Sequence, residues 1–309
     1  MKAKHVIIYL LLVIVTSSCI RDEAPNAEAD ILSCRLPGIT MTTSPIINNN
    51  SVTLFVTPGT NISALAPEFT LTSGATITPA SGTERNFNSP QEYQVTAADG
   101  IWKKTYAISV IDTELATIYN FEDTISGKKY YIFVERENDK VIMEWASGNA
   151  GYAMTGVAKT ADDYPTFQIA NGKNGKCLSL VTRSTGFFGG LVGMPIAAGN
   201  LFIGSFDVNN AMSNPLQATK FGLPFRHVPT YLAGYYKYKA GDQFTEGGKP
   251  VEGKRDICDI YAIMYETSVS VPTLDGTNAF TSPNLVSMAR IKDAKETDEW
   301  TYFNLPFTT

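Results

Sequence analysis

Apolar and polar residues alternate in short runs along this chain, and Pro, Gly, Ser and Asn separate the runs. Successive side chains of an extended strand point to opposite faces, so runs such as SVTLFVT and EFTLT predict strands with one buried side. From Ser51 onward no stretch carries the 3.6-residue repeat of an amphipathic helix. In EYQVTAADGIWKKTYAISV, Tyr93 and Val95 alternate with polar neighbours, Asp99-Gly100 supplies turn chemistry, and Tyr106, Ile108 and Val110 alternate on the return. That pattern predicts a hairpin. Together these strands predict an all-β chain whose residues 37–112 form a small Ig-like sandwich, a length of about 75 residues being adequate for one. From 113 to 309 the runs lengthen and aromatics increase, which predicts a second, larger β-domain.

The most aromatic of these later runs is YLAGYYKYKAGDQF, residues 231–244. Alternation puts Leu232, Gly234, Tyr236 and Tyr238 on one side and Tyr231, Ala233, Tyr235, Lys237 and Lys239 on the other. The first side reads as core. The second leaves Tyr235, with Lys237 beside it, as the candidate stacking surface.

Before the first strands, Lys2 and Lys4 precede the apolar run Val6 to Val15, which is too short to span a bilayer and reads as a secretory signal. TSSC follows, then the acidic RDEAPNAEAD. Small residues directly before Cys19 resemble a bacterial lipobox, and an acidic stretch after the cysteine resembles the export tether of Bacteroidetes surface lipoproteins. The resemblance implies a signal peptide over 1–19, lipidation of Cys19, a tether over 20–36, and an outer-membrane protein held at the cell surface by its lipid.

Composition narrows the chemistry. With Cys19 acylated, Cys34, Cys177 and Cys258 remain, and an odd, scattered set is no disulfide framework. There is no CxxC for a zinc-thiolate site and no GxSxG elbow, and once His5 leaves with the signal only His227 remains. The formal net charge of -5 becomes -7 when Lys2 and Lys4 are removed, which argues against nucleic acid and fits an uncharged partner such as a glycan.

Two resemblances go further. PGT, GATI, SGT and the closing hairpin, between Pro58 and Val110, resemble the Ig-like spacer modules of Bacteroidetes surface lipoproteins. TIYNFED, MEWASGNAGYAM, AAGNLFIGSF, GYYKYK, DICDIYAIMY and EWTYFNLPF resemble the putative carbohydrate metabolism domain of such proteins. The second resemblance implies a jelly-roll-like β-sandwich over 113–309 that works with other glycan-utilisation proteins of the surface. Such domains continue past the segment matching EWTYFNLPF, so it also implies that the sequence ending at Thr309 lacks closing strands.

Sugars present apolar C–H faces to aromatic rings and hydroxyls to amides and charges. In WASGNAGY, Trp145 or Tyr152 can face a sugar with Asn149 bonding a hydroxyl; alternatively Trp145 is a core plug and the glycine-rich segment a turn. Glycoside hydrolysis needs two carboxylates, for which Glu122, Asp123, Asp256, Asp259 and Glu266 are candidates, chiefly Asp123, Asp259 and Glu266. Asp256 and Asp259 are three apart and cannot share one face of a regular strand. Resemblance to carbohydrate-binding jelly rolls makes Glu122 a candidate structural calcium ligand; no other cofactor is implied. Three functions remain: a non-catalytic glycan-binding lipoprotein, a glycosidase, or an adhesion or assembly protein.

Overall fold

The computed structural model describes residues 25–309. Cys19, the signal segment and the first residues of the expected tether lie outside the described residues. The chain is all-β, with only short helical turns between strands.

Seven strands build the first module: β1 (Ile31–Arg35), β2 (Ile46–Ile47), β3 (Ser51–Phe55), β4 (Glu68–Leu71), β5 (Thr76–Thr78), β6 (Gln91–Thr96) and β7 (Lys103–Ile111). One sheet runs β2-β3-β7-β6-β5 and a second pairs β1 with β4. The expected hairpin is β6–β7, with Tyr93 opposite Tyr106. Against β7, β3 lies parallel, so Val52 meets Ile108 and Leu54 meets Val110. Alternation along these strands sends Val52, Leu54, Tyr93, Val95, Tyr106 and Ile108 into one buried cluster.

Strand β1 occupies residues that the sequence assigns to the tether. Cys34 is buried, and burial pushes its thiol up to about 12. The strand is held at its start by Asp30, whose carboxylate accepts from Lys104 Nζ at 2.5 Å and from Tyr106 Oη at 2.9 Å. Tyr106 Oη in turn accepts the Ile31 N–H at 3.3 Å. The acidic segment therefore yields to folded structure before residue 36, because its apolar positions Ala29, Ile31, Cys34 and Leu36 complete the core.

The second module contains β8 (Val134–Glu137), β9 (Lys140–Ala146), β10 (Thr166–Ile169), β11 (Cys177–Leu180), β12 (Arg183–Ser184), β13 (Ile196–Ala197), β14 (Phe202–Phe206), β15 (Thr219–Phe221), β16 (Tyr231–Tyr238), β17 (Thr245–Glu246), β18 (Lys249–Pro250), β19 (Tyr261–Tyr265), β20 (Leu285–Arg290) and β21 (Thr297–Pro306). Four strands form the sheet β15-β14-β9-β8. The long pairs β16–β21 and β19–β20 are joined where Met288 bridges Thr308. A hydrogen bond from the Tyr265 hydroxyl to the Phe221 carbonyl ties β19 to β15. Phe133, Val134, Ile142 and Met143 are all buried, so the chain is covered on both faces where it enters β8 and at the middle of β9. An open cleft of about 3820 Å³, lined in part by Tyr130, Glu144, Phe202 and Tyr236, runs through this module and also reaches first-module residues such as Asp30, Asn48 and Lys104. It far exceeds the roughly 300–1,000 Å³ of a small-ligand pocket and reads as space between sheets.

Lys104 holds the Asp30 carboxyl below the usual carboxylate range. An acid lowered on folding stabilises the protein above its unfolded pKa and loses that contribution as pH falls through the folded value. Asp30→Asn should cost about 1 kcal/mol at neutral pH, after discounting for partial exposure, and the gap from wild type should close below about pH 4. Urea denaturation at the two pH values measures it; a pH-independent gap would contradict the charge-based account.

Candidate functional site

Burial along β16 alternates through all eight residues, with Tyr231, Ala233, Tyr235 and Lys237 exposed and Leu232, Gly234, Tyr236 and Tyr238 turned in. Its antiparallel partner β21 continues the same two faces. On the inner side Gly234 sits opposite Phe303, and a Cβ there would meet the Phe303 ring at 2.8 Å. Glycine is what lets that ring lie across the strand. Tyr236 packs near Phe303 with centroids 6.2 Å apart and donates to the Lys295 carbonyl at 3.3 Å. The Tyr238 hydroxyl is buried without a partner.

The outer face is aromatic without being a core. Tyr235 stands opposite Tyr302, with ring centroids 5.2 Å apart and planes tilted by 53°. Tyr235 is 48% exposed, Tyr302 55% and Tyr231 61%. Between these rings Ala233 faces Asn304, so a small side chain and an exposed amide lie beside the tyrosines. Four residues of strand put Tyr231 about 13 Å from Tyr235. Lys173 Nζ lies 4.2 Å from the Tyr235 ring centroid, and Lys237 Nζ lies 5.4 Å from that of Trp300. Because Lys173 covers Tyr235, Tyr302 is the more open ring of that pair.

The loop carrying Lys173 is built by Glu122. Its Oε1 accepts the Lys176 N–H at 2.9 Å, and Gln168 Nε2 donates to the carbonyls of Phe121 at 2.7 Å and Glu122 at 2.9 Å. Gly175 has φ +73°, and a Cβ there would fall 2.2 Å from Glu122 Oε1. One oxygen of the carboxylate considered for calcium is thus engaged in ordering residues 171–176. Among the described residues no three His, Cys, Asp or Glu side chains converge with it.

Trp145 lies in a second cluster. Its Nε1 donates to Glu135 Oε1 at 2.8 Å, and its ring packs edge-on against Tyr119 at 5.0 Å and tilted against Phe121 at 5.5 Å. Burial raises the Glu135 carboxyl, the Trp145 bond opposes this, and neighbouring Asp123 adds to it. Burial, with Glu135 nearby, also pushes Tyr119 up to about 12. Trp145 is therefore neither a bare platform nor a fully sealed plug: it is half-buried and anchored at its polar end.

The other expected site residues are placed apart from both clusters. Asn149 is fully buried, donating to the Thr166 carbonyl at 2.7 Å and accepting the Thr166 N–H at 3.1 Å. Tyr152 is also buried, with its hydroxyl on the Ser184 carbonyl at 2.8 Å. Neither faces a sugar, because interior backbone groups consume their polar atoms. Asp259 is held bidentately by Arg290 at 3.0 and 2.7 Å, and that guanidinium lies 4.1 Å from the Phe280 centroid. Glu266 follows the far end of β19, seven residues and about 20 Å from Asp259 along an extended chain. These two cannot act as an acid–base pair. Residues 251–260 are irregular, so the face argument for Asp256 and Asp259 has no strand to apply to. His227 Nε2 sits 2.7 Å from Glu114 Oε2, a surface contact.

Tyr302, Asn304 and Lys173 are residues of the candidate site that sequence reasoning missed. The signal was present in WTYFNLP, where Tyr302, Asn304 and Pro306 alternate with Thr301, Phe303 and Leu305. Glu135 left no such trace, since only the fold brings it to Trp145.

Known proteins match in both modules. The family model described as "SGBP, N-terminal" matches residues 31–110, and the one described as "Putative carbohydrate metabolism domain" matches residues 120–309. No relative is found among the curated proteins. A crystal structure from Bacteroides thetaiotaomicron VPI-5482, described as a putative glycoside hydrolase, is 85% identical with a TM-score of 0.89, covering 93% of this chain and 84% of its own. Another from Bacteroides vulgatus ATCC 8482, described in the same terms, is 48% identical with a TM-score of 0.57, covering 62% of this chain and 77% of its own. The chain therefore belongs to the family described as "Putative carbohydrate metabolism domain", and the region before that domain is similar to the family described as "SGBP, N-terminal".

Proposed function

We propose that this protein is a lipid-anchored cell-surface lipoprotein of the outer membrane that binds carbohydrate without cleaving it, through the outer face of β16 and β21. The observation that carries the reading is the Tyr235–Tyr302 pair, two half-exposed rings 5.2 Å apart next to the Asn304 amide. Packing does not require such rings to face water, and an aromatic surface with an adjacent amide suits a sugar's C–H face and hydroxyls. Anchoring rests on Cys19 and the acidic segment after it; no helix among the described residues is long and apolar enough to cross a membrane. The SGBP-type first module supports a place at the cell surface.

Calorimetric titration against a panel of plant and host glycans tests the reading. Tyr302→Ala should weaken binding about tenfold or more, equivalent to about 1.4 kcal/mol, with little loss of stability. Tyr235→Ala should weaken it less, because Lys173 already covers that ring. Tyr236→Ala, on the inner face, should mainly lower the denaturation midpoint. Retained affinity in Tyr302→Ala would move the site elsewhere.

A hydrolytic reading has one specific support, a half-buried acid of raised pKa, Glu135, near a second carboxylate, Asp123, beside Trp145. It expects reducing ends to be released from a bound glycan and Glu135→Gln to abolish the release. The Gln side chain keeps an acceptor for Trp145, so the variant should fold normally. Binding with no release in the wild-type protein would remove this reading.

A further inference from the structure

Net charge hides a local arrangement at the tyrosine face. The chain is acidic overall, at -5, which would repel acidic polymers on average. Yet Lys173 lies over Tyr235 and Lys237 over Trp300, and Lys239 continues the exposed side of the same strand. Lys176 closes the loop that carries Lys173. Among the described residues none of these four lysines is in an ion pair; Lys104, Lys140, Lys220, Lys254 and Lys295 are paired, and Lys103, Lys128, Lys129, Lys159, Lys249 and Lys292 are unpaired like the four here. Acidic groups near this face include Glu122 and, at the irregular end of the β16–β21 ladder, Asp298 and Glu299, with Asp256 and the Arg255-paired Glu296 close enough to act on Tyr238 between Lys237 and Lys239. Glu122 has one carboxylate oxygen engaged by the Lys176 N–H. Lys173 lies over Tyr235, which shares the exposed side of β16 with Lys237, so the loop and Lys237 are on the same side of the sheet.

We infer that this face takes acidic glycans, sugars bearing carboxylate or sulfate, with the ring stacked on Tyr302 and the anionic group met by Lys173 and Lys237. The inference rests on the carbohydrate-binding reading above and names the ligand class for the same face. Lysine suits the task as a mobile point charge on a flexible stem that can follow differently placed anions. A lysine resting on an aromatic face keeps its charge at the stacking surface, and an arriving anion can draw it off the ring. The two contributions differ in salt dependence: exposed charge pairs are screened, and stacking is not.

The test uses the mature protein and matched polymers: polygalacturonate against its carboxyl-reduced neutral form, and dextran sulfate against dextran, at about 50 and about 500 mM NaCl. We expect an acidic member to bind at least about tenfold tighter than its neutral partner at low salt, and the advantage to shrink at high salt. Lys173→Ala with Lys237→Ala should remove that advantage and leave the melting temperature unchanged, while Tyr302→Ala should weaken both members. The carboxylate and sulfate arms identify which anion is preferred. Equal, Tyr302-dependent binding of acidic and neutral members would overturn the acidic preference and leave the carbohydrate reading standing. Acidic binding indifferent to Tyr302, Lys173 and Lys237 would overturn the assignment to this face. Binding of none of these polymers, nor of any glycan in the panel, would overturn both.

Discussion

The two-residue period of the β16–β21 ladder is the constraint on which the rest of the candidate site depends. A strand cannot turn one tyrosine inward without turning its neighbours outward. Burying Tyr236 and Tyr238 against the sheet interior therefore exposes Tyr235, and the register that sets Phe303 across Gly234 sets Tyr302 across Tyr235. The aromatic outer face follows from the same pairing that builds the inner one. Its residues are then free to be chosen for a ligand, since the inner row already supplies the packing.

Around that rigid ladder, buried polar groups hold the loops. Asn149 satisfies both backbone groups of Thr166, and Thr166 Oγ1 donates to the Asn200 carbonyl at 2.8 Å. Asn200 Oδ1 in turn accepts the Gly148 N–H at 2.7 Å. A buried amide with its partners in place is costly to disturb, because removing one side strands the other away from water. Glu122 does similar work for residues 171–176, and through them it places Lys173 over Tyr235. Ladder and loop together make the candidate site: the strands bring the tyrosines to one face and the loop adds a lysine.

Much of the fold was legible because alternation is local. The β6–β7 hairpin, the inward row of β16 and its outward Tyr235 and Lys237 all follow from counting by twos. Side-chain roles set by distant partners were not legible. Asn149 and Tyr152 look like rim residues in a glycine-rich segment, and Thr166 and Ser184, well along the chain, make them interior. Asp259 looks free until Arg290 arrives from β20. Residues 31–36 resemble the end of a polar tether, yet pairing with β4 turns them into a core strand.

By itself the sequence determined an all-β chain, a change of texture near residue 112, and which residues of each strand share a face, because those properties depend on neighbours one or two positions away. Only the tertiary structure decided that Tyr302 and Asn304 join Tyr235, that Lys173 covers that ring, and that Glu135 rather than Asp259 sits against an aromatic cluster. Those contacts link residues many positions apart. Their existence depends on strand register and loop closure, and the energies that select these are summed over the whole fold.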